Sequence, residues 1–541
     1  MSQIRIEKTR AKGPITWTLA IAAILTLGLL MGTSESSAQT YTDIHDFDGT
    51  HGADPAAPQL MAQGRDGNLY GTTPYGGKTY GVVFRLAPNG TVSVIYNFDG
   101  TLGFRPDAGL VMGTDGNFYG TTLYGGTDSV GTIFQVTPDG TYTQLYAFTD
   151  GKDGAYPYAT PSLGADGNLY GLTQSATAYK ITPAGTFTLL GSIPDRSFSP
   201  LVLGTDGSFY GTTQHGGKFN QGTLFKMTPA GKVTVFYNFD TTHGAVPWGC
   251  LVQGADGNFY GTATLGGSGG GGVVFRATKA GSLKVLHNFL SGSKTDGYNP
   301  IAGLVAATDG NFYGATFAGG SEGFGVVFKI TPAGKYSLLH TADDTHGSDQ
   351  QATPVQHTSG TIYGLAGGGK TEDGVVYSLG LSASPFVKLV LSSGKVGGTV
   401  EVLGAGFNGV TKVKFNGTTA KYTVVSDTYL TVKVPAGATT GPVTVTTSAG
   451  TLSSSTPFRV IPKVLSFSPT SGPVGTSVMI TGNSFTGATK VTFGGVKATS
   501  VTINSDTQIT AEVPTGAKTG KIAVTTAGGT GSSSTVFTVT Q

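Results

Sequence analysis

One eight-residue motif, met seven times, restricts this chain more than any other feature. DGNLYGTT starts at Asp66 and recurs as DGNFYGTT at Asp115, DGNLYGLT at Asp166, DGSFYGTT at Asp206, DGNFYGTA at Asp256 and DGNFYGAT at Asp309. A degraded seventh copy, SGTIYGLA, starts at Ser359. The spacings are 49, 51, 40, 50, 53 and 50 residues. A fixed period of this size marks an array in which each copy is one supersecondary unit that buries its apolar faces against its neighbours.

Each unit reads as four strands. In the second copy a short apolar segment, LVMG (110–113), enters an Asp-Gly turn. NFYGTT (117–122) follows, then a Gly-Gly loop, GTIFQVTP (131–138), a second turn at Asp139-Gly140, and TYTQLYAF (141–148). Asp-Gly between alternating apolar runs is a strong hairpin signal, because both residues tolerate positive φ. Four antiparallel strands per unit, repeated radially, make a propeller blade. A solenoid needs shorter units, and a sandwich does not repeat its sequence seven times. The chain start sharpens this reading. YTDIHDFDGTHGADP (41–55) matches the end of a unit, VSVIYNFDGTLGFRP (92–106), and has no strands before it, whereas the seventh unit stops after VVYSL (375–379). The expected fold is therefore all-β: a seven-bladed β-propeller whose last blade is completed by the N-terminal strand, which removes open sheet edges.

The first residues differ from the rest. Arg5, Lys8, Arg10 and Lys12 precede an apolar run from Ile15 to Met31 and the small residues Ser36-Ser37-Ala38, the layout of a secretory signal peptide over residues 1–38. The alternative is an uncleaved membrane anchor, since the run is near the minimum spanning length. Either way the remainder is expected to be exported: secreted, periplasmic or at the cell surface. Without the leader's four basic and two acidic residues, 29 of each sign remain, so electrostatic capture of nucleic acid has no support. Cys250 is the single cysteine, which excludes an intrachain disulfide and a cysteine-based zinc site.

The units, with their consensus DGNxYGTTxxGG…GxVFxxTPxG…LYxF, resemble the GloVer tandem-repeat proteins over about residues 41–382. That resemblance implies export and varied C-terminal modules but no assigned activity. The third unit departs from the pattern, since QSATAYKITP (174–183) lacks the Gly-Gly loop. Beyond the repeats, residues 383–461 and 462–541 are two copies of one module: TKVKFNG (411–417) matches TKVTFGG (489–495), and SDTYLTVKVPAGATTG (426–441) matches SDTQITAEVPTGAKTG (505–520). Alternating strands with frequent turns indicate immunoglobulin-like sandwiches. SPTSGPVGTSVMITGNSF (468–485) resembles IPT/TIG domains, which in exported proteins are similar to spacers and adhesion units. The expected organisation is thus a signal peptide (1–38), the propeller (39–382) and two IPT/TIG modules (383–461 and 462–541).

If the N-terminal strand is outermost, the Asp-Gly and TPxG turns share one face of the ring. The Gly-Gly loops and blade connections share the other. Only the second group varies, and function concentrates on such loops. That face offers Tyr75, Tyr124 and His215 on Gly-Gly loops, a THG triplet at His51, His243 and His346, and Trp248 just beyond one of them. Three equivalent histidines could converge on a metal, but His243 enters blade five, away from the adjacent blades one and seven. A turn inherited by duplication is the better reading, and no metal or cofactor is expected. The Asp of each Asp-Gly turn suits local backbone hydrogen bonds better than calcium, and each Tyr of YGT suits the core. Marks of enzymatic propellers are sparse. Quinoproteins carry a docking Trp per blade, sialidase Asp-boxes end in Trp, and a copper-radical oxidase needs a Cys–Tyr pair. Streptogramin-lyase-type propellers need His and Glu with magnesium, and the repeats here hold only Glu322 and Glu372.

The favoured expectation is an exported binding or scaffold protein that presents its variable face to an extracellular glycan or a protein, with the modules as spacer or adhesion units and contact with a membrane only through the leader. No catalytic residue is assigned. The alternatives are an extracellular enzyme, streptogramin-lyase-like or acting on polysaccharides, and a structural component of a surface layer.

Overall fold

The structure, a computed structural model, describes residues 39–55, 60–149, 151–381 and 383–541. The leader expected over residues 1–38 lies outside the described residues. Among them no helix is long and apolar enough to cross a membrane.

Seven four-stranded antiparallel sheets follow the seven repeats. Blade two shows the pattern: Val111–Met112 innermost, then Phe118–Thr122, Thr132–Val136 and Tyr142–Ala147 outermost. Blade seven is assembled from both ends of the ring. Val355–Gln356, Ile362–Ala366 and Val375–Gly380 are completed by Thr40–Asp46, which pairs antiparallel from Thr40 opposite Gly380 to Asp46 opposite Val375. The closure expected from the sequence is what the chain does.

Neighbouring blades are held by aromatic and branched side chains. A buried apolar cluster lies between blades one and two, another between two and three, and so on round to the cluster joining Phe47, Phe84 and Leu69 to Tyr363 and Val376 across blades seven and one. The tyrosine of each YGT is part of this glue. Tyr70 stacks on Phe118 of the next blade at 4.0 Å, and Tyr260 on Phe312 at the same distance. Its hydroxyl must still be satisfied. The Asp four residues earlier accepts it, as in Tyr70 to Asp66 at 2.7 Å and Tyr119 to Asp115 at 2.6 Å. The same carboxylate accepts the Asn68 backbone N–H and side-chain amide. DGNxY is therefore a turn and a core anchor in one motif.

The C-terminal modules are two sandwiches with matching strand order. In the first, a sheet containing Thr399–Leu403 and Tyr429–Lys433 faces one containing Lys412–Phe415 and Val443–Thr447; in the second, Ser477–Asn483 and Gln508–Glu512 face Lys490–Phe493 and Gly520–Thr526. The Asp of each SDT motif caps the loop that ends in a buried Phe. Asp427 accepts the Gly406 and Asn408 N–H groups, and Asp506 those of Ser484 and Thr486. The first sandwich is docked on the Asp-Gly-turn face of the ring. Arg65 pairs with Glu401 at 2.8 Å, lies over the Tyr429 ring at 4.8 Å, and donates to the Thr114 carbonyl of blade two. Thr428 donates to the Arg65 carbonyl.

Candidate functional site

On the opposite face, the connections between blades share one local design. Each carries an x-Pro-x triplet or its relic just before the inner strand. The first residue of the triplet takes positive φ in six of the seven connections: Asp54, Arg105, Tyr156, Val246, Asn299 and Asp349. For a β-branched residue such as Val246 this is costly, and it persists only where surrounding contacts demand it. Here the backbone is bolted at both ends. Val246 N–H donates to the Gln221 carbonyl of blade four, and its carbonyl accepts the Thr264 N–H of blade five. Arg105 bridges Tyr80 and Leu123 in the same way. The exception, Arg196, follows the notched third blade, whose strands Leu169–Leu172 and Thr177–Ile181 are joined without a Gly-Gly loop.

The third residue of each triplet is thereby fixed on the variable face. In consecutive blades these are Asp107, Tyr158, Phe198 and Trp248. The Tyr158 and Phe198 rings lie 5.1 Å apart in a T-shaped pair, and Phe198 and Trp248 lie 4.9 Å apart. All three aromatics are only half-buried, and the Trp248 indole nitrogen has no hydrogen-bond partner among the described residues. Beside this arc the Arg105 guanidinium sits 5.3 Å from the Tyr75 ring and 5.7 Å from that of Tyr124, and pairs with Asp107 at 3.1 Å. Asp107 is 2% exposed. Burial, partly offset by Arg105, pushes its carboxyl up to about 6. Burial likewise raises the Tyr158 hydroxyl.

The residues singled out in the sequence divide into two groups. Tyr75 and Tyr124 meet at Arg105, and Trp248 joins the aromatic arc. His51, His243 and His346 do not converge. Each accepts a local role, its Nδ1 and backbone N–H both meeting the Asp three residues earlier: Asp48 at 2.9 Å, Asp240 at 3.0 Å and Asp343 at 2.7 Å from the imidazole. Among the described residues no cluster of His, Cys, Asp and Glu is arranged to hold a metal ion. His215 occupies the repeat position of Tyr75 and Tyr124, where its carbonyl accepts the Thr213 hydroxyl. Arg105, Asp107, Tyr158 and Phe198 escaped the sequence reading. The signal was present in the aligned triplets RPD, YPY, RSF and VPW, but it stands out only when the connections are compared with each other.

Below the rim the ring encloses a chamber of about 530 Å³, walled by the inner strand of every blade, with Ala62, Met112, Leu163, Val202, Val252, Val305 and Val355 among the lining. Its floor comes from the first sandwich: Lys388, Leu389, Val390 and Leu403. Among the described residues no carboxylate and no histidine lines it. Cys250 is in the wall, 3.6 Å from the Thr353 hydroxyl, and burial pushes its thiol pKa up, the reverse of what a reactive or metal-binding cysteine needs.

Seven radial sheets with a sandwich across one face define the class: a β-propeller protein with appended immunoglobulin-like modules. More particularly, the chain belongs to the Gloeobacter/Verrucomicrobia repeat family, which matches residues 27–187 and 196–428. An IPT/TIG domain matches residues 462–539. No curated protein matches the chain. Among solved structures the chain is similar to a fungal alcohol oxidase of the AA5 family in complex with copper, with 15% identity, 90% of this chain and 98% of that chain covered, and a TM-score of 0.40. It is also similar to the extracellular domain of a hybrid two-component system from B. thetaiotaomicron, with 12% identity, 90% and 64% covered, and a TM-score of 0.44. A third likeness is to SGBP-B from a xyloglucan utilization locus in Bacteroides uniformis, with 23% identity, 28% and 48% covered, and a TM-score of 0.15.

Proposed function

We propose that this protein is an exported binding protein whose variable face takes an extracellular glycan. The observation that supports this most is the arc of Tyr158, Phe198 and Trp248, three half-buried rings on successive blades. Sugar rings present C–H faces that stack on aromatic planes, and their hydroxyls need a few fixed polar partners. Arg105 stands at one end of the arc in that role, its guanidinium held by the buried Asp107 and flanked by Tyr75 and Tyr124. The first sandwich covers the opposite face, so the arc stays clear. The second sandwich then serves as the spacer or adhesion unit. The enzymatic alternative needs a polar cluster with coupled carboxylate and histidine in the channel or on the variable face; among the described residues the chamber lining supplies neither, and the Asp–His pairs of the THG turns are separate local contacts.

Trp248 is the single tryptophan after residue 38, so its fluorescence reports on the rim directly. Titration of the exported chain with a panel of soluble polysaccharides should shift this emission for at least one of them. Phe198→Ala and Trp248→Ala should each weaken that binding about tenfold, the loss typical of a stacked aromatic contact. A panel and a glycan array that both stay blank at high protein concentration would refute the reading.

A further inference from the structure

The chamber beneath the rim has an unusual chemistry. Its wall is mostly aliphatic, with Gln63, Thr160, Ser162 and Thr353 as neutral polar members, and among the described residues Lys388 is the single ionisable side chain at its lining other than the Cys250 thiol. Lys388 belongs to the short strand Lys388–Leu389 at the start of the first sandwich, so docking of that sandwich on the ring carries the amine to the chamber floor. Among the described residues no hydrogen bond or ion pair holds it there. The neighbouring imidazole, His357, is occupied by the Gly67 carbonyl and the Ser359 hydroxyl. Desolvation accordingly pushes the Lys388 pKa down. A charged amine in apolar surroundings without a partner is expensive, and a chain folding for itself alone would do better with Met or Leu on this floor.

We infer that the chamber is a binding site for a small amphiphile with an apolar body and one carboxylate, of the long-chain fatty-acid type. A volume of about 530 Å³ is in the range of small-molecule sites, which are mostly apolar with a few fixed polar groups. The apolar wall takes the chain, and the Lys388 amine pairs with the carboxylate at the closed end. Entry is from the variable face. There Asp107, Tyr158, Phe198 and Trp248 stand only two or three residues before the first lining residue of their blades: Leu110, Thr160, Pro200 and Cys250. This site shares no residue with the proposed glycan surface, so either can stand without the other.

The test uses the full chain, with palmitate and hexadecanol as probes in calorimetric titration. Palmitate should bind the wild type with a measurable heat that saturates at one molecule per chain. Lys388→Met keeps the volume and removes the charge, and it should weaken palmitate about ten- to hundredfold, as loss of one charge-assisted contact implies, while leaving hexadecanol unchanged. Ala306→Phe, which fills the chamber from blade six, should abolish both. Its polysaccharide titration and thermal melt should match the wild type, which shows that the ring is intact. Failure of the wild type to bind palmitate, or equal palmitate binding by Lys388→Met, overturns the inference.

Discussion

At the scale of single residues, this protein uses the same few side chains twice, once for local geometry and once for packing. The Asp of each Asp-Gly turn closes the turn and satisfies a buried tyrosine. The glycine that opens the third strand shows the same economy. Gly131 has φ +107°, and a Cβ there would lie 2.5 Å from Pro157 Cδ of the next connection and 2.7 Å from the Thr122 carbonyl, so only glycine lets neighbouring blades close. Asp107 is the residue whose chemistry is most altered by the fold. Its folded pKa of about 6 exceeds the ordinary value of about 3.9. Between these values the folded chain keeps a proton that the unfolded chain has released. Stability from this group is therefore full below about pH 4 and is lost as pH rises toward 6. The difference between about 6 and about 3.9 corresponds to about 3 kcal/mol. Asp107→Asn cannot ionise, so the unfolding free energy of the wild type, measured relative to this variant, should fall by about that amount between pH 4 and 7. Parallel stability profiles would show the assignment to be wrong.

At the scale of elements, the telling feature is a bulge. In each of blades one to six the pairing register shifts at one equivalent place between third and fourth strands, between Val83 and Phe84 in blade one and between Val327 and Phe328 in blade six, with a second shift between Gly270 and Val273 in blade five. In blade seven the shift lies between Asp43 and His45, on the strand supplied from the chain start. The strand Thr40–Asp46 is thus a true fourth strand, separated from its blade by the whole ring. It seats Phe47, which is fully buried and meets Phe84 edge-on at 5.4 Å. Phe47→Ala should destabilise the propeller by about 3–5 kcal/mol, the usual loss for a buried phenylalanine, and by as much as the equivalent Phe98→Ala. Denaturant unfolding that finds Phe47→Ala harmless would mean that the N-terminal strand is a dispensable tail. The strand count and the closure were legible in the sequence, because hairpin turns and apolar alternation are local patterns repeated seven times. The positive-φ residues of the connections were not, since what forces Val246 into that conformation is a pair of hydrogen bonds to two other blades.

At the scale of the whole molecule, the arrangement of the first sandwich changes what the ring can do. A sequence reading of the module as spacer or adhesion unit leaves the propeller with two open mouths. The structure closes one of them. The contact is centred on Arg65, which ties blade one to blade two and to Glu401, with exposures of 30% and 16% for the pair. Arg65→Ala should weaken docking by about 1–3 kcal/mol, the range for hydrogen bonds between charged groups. It should also speed proteolytic cleavage at the exposed Ser384–Pro385 segment. Cleavage at the wild-type rate would show that other contacts hold the sandwich.

The sequence by itself determined the all-β class, the number of blades, the ring closure and the duplication of the C-terminal modules, because turn chemistry and strand periodicity act over a few residues and the repeats print them many times. It also named Tyr75, Tyr124 and Trp248 as members of the variable face. Only the tertiary structure decided that Arg105 gathers two tyrosines, that three rings from three blades form one arc, and that Lys388 is brought to the chamber floor. Each of these joins residues tens to hundreds of positions apart. Their proximity is set by the radial order of the blades and by the docking of one domain on another, which no local pattern encodes.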